Sequence, residues 1–244
     1  IAFGSNSNAQ ADSAIAIGFN TFANQNSATA IGRFASATGN QTIALGFNAN
    51  ADANQGIAIG DRALANDTYT IAIGSNAEAT GTRSLAVGYK AFASGENAAA
   101  MMVCSQAIGR NSMAFGQFSY ANSDNSFAMG VDARATAVDA YAIGVNANAT
   151  HTNSFAMGTY SNAQQVNAFA VGPNAFASGV NSFAVGPNAR AIGNDAFAFG
   201  PGAVADGDGS FALGDFATDA SGADDSLVTG DGANVSASNA SAFG

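Results

Sequence analysis

The chain repeats one short apolar phrase: a small residue, a large apolar residue (Φ), alanine, a second Φ and a glycine. Stretches rich in Asn, Ser and Asp separate the copies. The closing glycines fall at Gly4, Gly18, Gly32, Gly46, Gly60, Gly74 and Gly88, then at Gly116, Gly130, Gly144, Gly158, Gly172, Gly186, Gly200 and Gly214. Every step is 14 residues except that from 88 to 116, which is two steps with Met102 at the skipped position. Two extra residues between 215 and 230 carry the next glycine to Gly230, and Gly244 follows at 14. A fixed period of this kind marks stacked repeats, each able to bury its apolar face only against its neighbours.

Each unit holds two strands. In Ala14 to Ala23 the first is small-Φ-Ala-Φ, ending at Gly18, and the second runs from two to six residues beyond the glycine. Its third and fifth places are small, and the fifth is alanine from Ala9 and Ala23 through Ala191 and Ala205. Gly, Asn and Asp fill the connections, where positive φ and side-chain-to-backbone bonds make tight turns. Two short strands and two turns predict a flat coil, and successive coils stack as parallel strands about 4.8 Å apart. The predicted fold is all-β: a parallel β-roll, or β-solenoid, of 14-residue coils forming one repetitive domain over residues 1–244. The stretch 97–104 is its degenerate coil.

The two strands differ in what their faces need. Alternate residues of a strand point to opposite sides. The second strand alternates small residues with polar or variable ones (Asn48 and Asn50, Asp132 and Arg134), so one face is buried and one is wet. The first strand is apolar on both faces, and such a strand is covered on both. A coil interior covers one; another chain is expected to cover the other. An obligate homo-oligomer is therefore predicted. The close contact between chains is assigned to the alanine row Ala16, Ala30, Ala44, Ala58, Ala72, Ala86, Ala114, Ala128, Ala142, Ala156, Ala170, Ala184, Ala198 and Ala212, with the large residues inside the coil. The reverse assignment stays open.

Composition sharpens this picture. Gly is 29 of 244 residues, Trp is absent and only 10% of residues are charged, yet 48% are hydrophobic and regularly spaced, which argues for a folded repeat over disorder. The net charge of −10 and the lack of clustered Lys and Arg exclude a nucleic-acid groove. Basic residues stop at Arg190, and eight acids lie beyond it. Cys104 is the only cysteine, so no intrachain disulfide forms. No run is apolar enough to span a membrane, and the sequence reads as a fragment whose targeting and anchoring segments lie elsewhere.

Candidate chemistry is sparse. His151, the only histidine, sits at a turn with no Ser or Cys partner in motif spacing. Asp206-Gly207-Asp208-Gly209 has the acids of a calcium loop, but Ala217 stands where such a loop needs Glu. Gly200-Pro201-Gly202 lacks the Gly-Lys-Ser/Thr of a phosphate loop. No catalytic residue, metal site or cofactor is expected, and the chain is not expected to be an enzyme. Exposed aromatic and basic side chains of the second strand are the candidate ligand-contact surface: Arg33, Phe34, Arg62, Lys90, Phe92, Tyr120, Arg134, Tyr160, Phe176 and Arg190, with Phe22.

Ser84-Leu85-Ala86-Val87-Gly88, Asn153-Ser154-Phe155-Ala156-Met157-Gly158 and Asn181-Ser182-Phe183-Ala184-Val185-Gly186 resemble the Asn-Ser-Val-Ala-Ile-Gly motif of YadA-like heads of trimeric autotransporter adhesins. The resemblance covers essentially the whole chain. It departs in the first Φ row, where Ile15, Ile43, Ile57, Ile71 and Leu85 give way to Phe127, Tyr141, Phe155, Phe169, Phe183, Phe197 and Phe211. The resemblance implies a left-handed roll and a homotrimer displayed at the cell surface of a Gram-negative bacterium. It also implies an outer-membrane anchor outside this fragment. The implied function is attachment to a host matrix protein, to a host cell surface or to other bacteria by self-association. The alternative is a structural spacer or a phage-fibre shaft that binds nothing itself.

Overall fold

A computed structural model describes residues 1–220 and 222–244, which divide into two units, 1–122 and 123–244. Among the described residues all regular structure is β-strand. In the first unit, three-residue first strands such as Ile57–Ile59 and Ile71–Ile73 pair in parallel, with Ala58 opposite Ala72. Two-residue second strands such as Phe22–Ala23 and Ser36–Ala37 form its other sheet. The second unit repeats the scheme: Phe155–Met157 pairs with Phe169–Val171, and Arg134–Ala135 with Asn148–Ala149. Neighbours 14 residues apart pair in register throughout both units up to Phe211. The chain is an all-β parallel solenoid of about 17 coils, as its period predicts.

Each coil turns twice, and both turns place one residue at positive φ. Asn and Asp hold most of these places (Asn146 at 55°, Asn153 at 57°, Asp195 at 54°), because their side chains tolerate the left-handed region. In the second unit the same asparagines link coils. Asn153 donates to Asn167 at 3.1 Å, Asn167 to Asn181 at 2.8 Å, and Asn181 to the carboxylate of Asp195 at 2.9 Å. Glycine is obligatory where the first strand ends. Gly158 has φ +132°, and a Cβ there would lie 2.5 Å from the carbonyl oxygen of Gly172 in the next coil.

The interior corrects one expectation. Ala16, Ala30, Ala44, Ala58, Ala72, Ala86, Ala114, Ala128, Ala142, Ala156, Ala170, Ala184, Ala198 and Ala212 do not lie on a surface where another chain can reach them. They are 0% exposed within their own coils. They face the second-strand alanines, such as Ala65 and Ala163, which are equally buried. The buried side chains are Ala, Ser and Thr, joined near the C-terminal end by Val228, Val235 and Asp219. A coil this thin has no room between its strands for Ile or Phe, so the Φ residues turn outward. Ile43, Leu45, Met129 and Tyr141 are exposed, and Ile57, Phe155 and Phe169 are half-buried. In the second unit the outward aromatics stack, with centroids 4.8 Å apart for Phe155 and Phe169 and 5.0 Å for Phe183 and Phe197.

Met102 occupies a position that is glycine in the other coils, at φ +101°, and is 61% exposed. The strand bond that follows is stretched. Gly116 N–H reaches the Met101 carbonyl at 3.2 Å, whereas the equivalent bonds from Gly74 to Ile59 and from Gly88 to Ile73 are 2.8 Å. Backbone strain at positive φ costs about 1–3 kcal/mol, and glycine's greater unfolded freedom returns roughly 0.5–1 kcal/mol of that. Met102→Gly is thus expected to stabilise the protein by about 1 kcal/mol, raising the thermal midpoint by roughly 2–4 °C in a calorimetric scan. An unchanged or lower midpoint contradicts the strain assignment.

Between 215 and 230 the register lengthens to 16: Phe211 pairs with Leu227 and Thr218 with Asn234. Ser221, within that interval, lies outside the described residues. Asp219 stands at the fifth place of the second strand, where other coils have alanine, and it is buried. Its carboxylate accepts from the N–H of Asp206 at 2.5 Å, the N–H of Gly207 at 3.0 Å and the hydroxyl of Ser226 at 3.2 Å. Three donors satisfy a charge that would otherwise be costly to bury.

Candidate binding surface

The second strand presents its non-alanine residues outward, and its backbone is paired on both sides. Leu64–Ala65, for example, pairs with both Asn50–Ala51 and Glu78–Ala79. Recognition on this face therefore runs through side chains. In the first unit the structure brings together Arg33 and Phe34 at the turn that precedes the strand. The Arg33 guanidinium carbon lies 4.7 Å from the Phe34 ring centroid, and 5.8 and 5.9 Å from those of Phe19 and Phe47. Phe34 meets Phe19 and Phe47 edge-on at 5.7 and 5.9 Å. Cation–π contacts of this kind hold the guanidinium flat while leaving edge donors for a ligand. Phe34 does this at φ +63°, a position where other coils use Asn.

Below this cluster two shallow depressions follow. One of about 250 Å³ is lined by Phe34, Ser36, Asn48, Asn50, Arg62 and Glu78 among others, and one of about 240 Å³ by Asn76, Glu78, Lys90, Ala91 and Phe92. Arg62 is only loosely held, 3.9 Å from Asp61. The Lys90 ammonium lies 5.3 Å from the Tyr89 ring centroid. Tyr120, at the far end of this unit, donates its hydroxyl to Asn122 at 3.0 Å.

In the second unit Arg190 stacks 5.2 Å from Phe176, its register partner in the adjacent coil. Arg134 and Tyr160 are exposed, Tyr160 at φ +59°. The structure thus joins Arg33 with Phe34, Arg62 with Phe34 across the first depression, Lys90 with Phe92 and Arg190 with Phe176. The aromatics Phe19, Phe47 and Tyr89, and the depression residues Asn48, Asn50 and Glu78, complete these groupings and were not singled out in the sequence. Their signal is the residue directly after the closing glycine, which is large and apolar in three of the first seven coils.

Charge is unevenly shared. Residues 1–122 carry five bases against six acids, and residues 123–244 carry two against eleven. The outer face of the first unit is the one place where bases alternate with aromatics.

His151 is exposed at its turn with Nδ1 3.0 Å from the Thr150 hydroxyl. Cys104 is half-buried in a turn at φ +55°. Asp206-Gly207 serves as a pair of backbone donors to Asp219. Among the described residues no group of three or more His, Cys, Asp or Glu is arranged to hold a metal ion.

The family model described as the YadA head domain repeat matches residues 1–21, 23–49, 51–77, 79–101, 107–133, 135–161, 163–189 and 191–217. No curated protein matches the chain.

Proposed function

The chain belongs to the YadA head repeat family, and on that premise we propose that it is the adhesive head of a trimeric autotransporter, a binding module and not an enzyme. The observation that carries this reading is the outward first-strand face. It shows two rows of large apolar side chains, such as Ile57 and Ile59 or Phe169 and Val171, on nearly every coil. Soluble single chains rarely leave an apolar patch this continuous in water. Two further copies covering it make the homotrimer that heads of this family form. The coils then wind left-handed around a shared apolar core built from the Ile, Leu, Val, Met and Phe rows, and the alanines stay inside each coil. The second-strand faces point away from the axis, three copies to a trimer, and multivalent contact turns weak binding at each into firm attachment. Family membership supports display on the surface of a Gram-negative bacterium, with the membrane reached only through an anchor outside residues 1–244, and partners drawn from host matrix, host cells or other heads.

The test is retention of the full chain on immobilised matrix proteins, cultured host cells and itself, alongside its mass by light scattering. Trimer mass with saturable retention on one of these surfaces is the expected result. A single-chain mass, or no retention on any surface, overturns the proposal.

A further inference from the structure

The outer face of the first unit has a period of two coils. At one turn position the side chains run Phe34, Asn48, Arg62, Asn76 and Lys90, so a large residue alternates with an asparagine. Arg33 adds its charge beside Phe34. Parallel strands lie about 4.8 Å apart, which sets positive charges roughly 10 Å from one another along the face. The short asparagine coils between them open the two depressions of about 250 and 240 Å³, and Glu78 lines both.

We propose that this strip, from Arg33 to Phe92, is a binding site for a linear acidic polysaccharide that carries one anionic group on every second sugar. The inference rests on the adhesive reading above and names the ligand class of that surface. Each depression takes one sugar ring. Phe34 and Phe92 at the rims offer apolar faces to ring carbons, and the amides of Asn48, Asn50 and Asn76 donate to and accept from hydroxyls. The Glu78 carboxylate, an acceptor only, binds hydroxyl protons and rejects a second anion at that place. Arg33, Arg62 and Lys90 meet the anions of alternate sugars, and Arg33 is already held flat by its aromatic neighbours. A peptide is the poorer fit. The strand backbones here are paired on both sides, so no edge is free for strand addition, and the depressions are floored by amides and not by the aromatic walls that take proline-rich segments.

The experiment titrates the full chain with a hyaluronan octasaccharide, which bears one carboxylate per two sugars. Neutral maltooctaose and poly-L-glutamate serve as the comparison ligands. Binding of the octasaccharide alone is expected, weakening as salt screens the exposed bases. Arg62→Gln with Lys90→Gln is expected to lower the affinity on the order of tenfold and to flatten its salt dependence. Arg134→Gln with Arg190→Gln in the second unit is expected to leave both unchanged. All four positions are exposed, and unchanged mass and circular dichroism establish that the variants fold. Equal binding of poly-L-glutamate overturns the inference in favour of an acidic peptide, and equal loss in both double variants overturns the placement. If the octasaccharide does not bind while the chain is still retained on matrix, cells or itself, this inference falls and the adhesive reading stands. If nothing retains the chain, both fall.

Discussion

Replacing Phe169 and Phe183 together with serine is expected to convert the associated protein into single chains at micromolar concentration. The two rings lie 5.3 Å apart on the outward face of successive first strands and are half-buried within one chain. Full burial of a side chain of this size contributes about 1.5–3 kcal/mol, so covering the remaining half contributes on the order of 1 kcal/mol. A trimer contains six such side chains, which puts the loss near 6 kcal/mol and the fall in association at about four orders of magnitude. Sedimentation or light scattering reads the change directly. Phe176→Ser on the second-strand face is expected to leave the mass unaltered, because that face points away from the shared core. Dissociation by Phe176→Ser, or an intact oligomer after the double replacement, places the interface elsewhere.

Gly158→Val should cost more within a single chain. The residue sits at φ +132°, and its new Cβ would meet Gly172 at 2.5 Å from the carbonyl oxygen and 2.6 Å from the carbonyl carbon. Both contacts are backbone, so nothing flexible yields. Strain at that φ costs about 1–3 kcal/mol and forced overpacking about as much again, giving roughly 3–6 kcal/mol per chain. Hydrogen exchange should show the loss as early opening of the amides near 158 and 172, with coils at the far end of the second unit still protected, since neighbouring repeats carry most of each other's stability. Uniform protection matching the parent protein would refute the clash.

The period, the two strands and the turn residues were legible because each has a local cause: alternation for strands, positive φ for Asn and Gly. The direction in which the first strand faces was harder to read. Ala16 and Ile17 are both apolar, and the general preference for large residues inside pointed the wrong way. The deciding signal lay in the partner strand. Ala23, Ala37 and Ala51 line its inner face, and only other small residues fit opposite them across so narrow a coil. The two-residue insertion was visible as a count, but not Asp219. A carboxylate at an alanine position becomes intelligible only when Asp206, Gly207 and Ser226 are seen to converge on it. For the binding surface, residue types marked Arg33, Arg62 and Lys90, whereas the depressions between them come from the stacking of unequal coils.

An interior of near-uniform methyl groups also bears on how such a chain changes over generations. Coils with the same inner face are interchangeable, so unequal crossing-over between near-identical stretches can delete or duplicate 14 residues and leave both flanks in register. Length then varies in whole coils while each outer side chain is free to mutate without repacking anything beneath it. A crossover out of step by two meets a penalty, and the buried Asp219 marks one place where such a step has been kept.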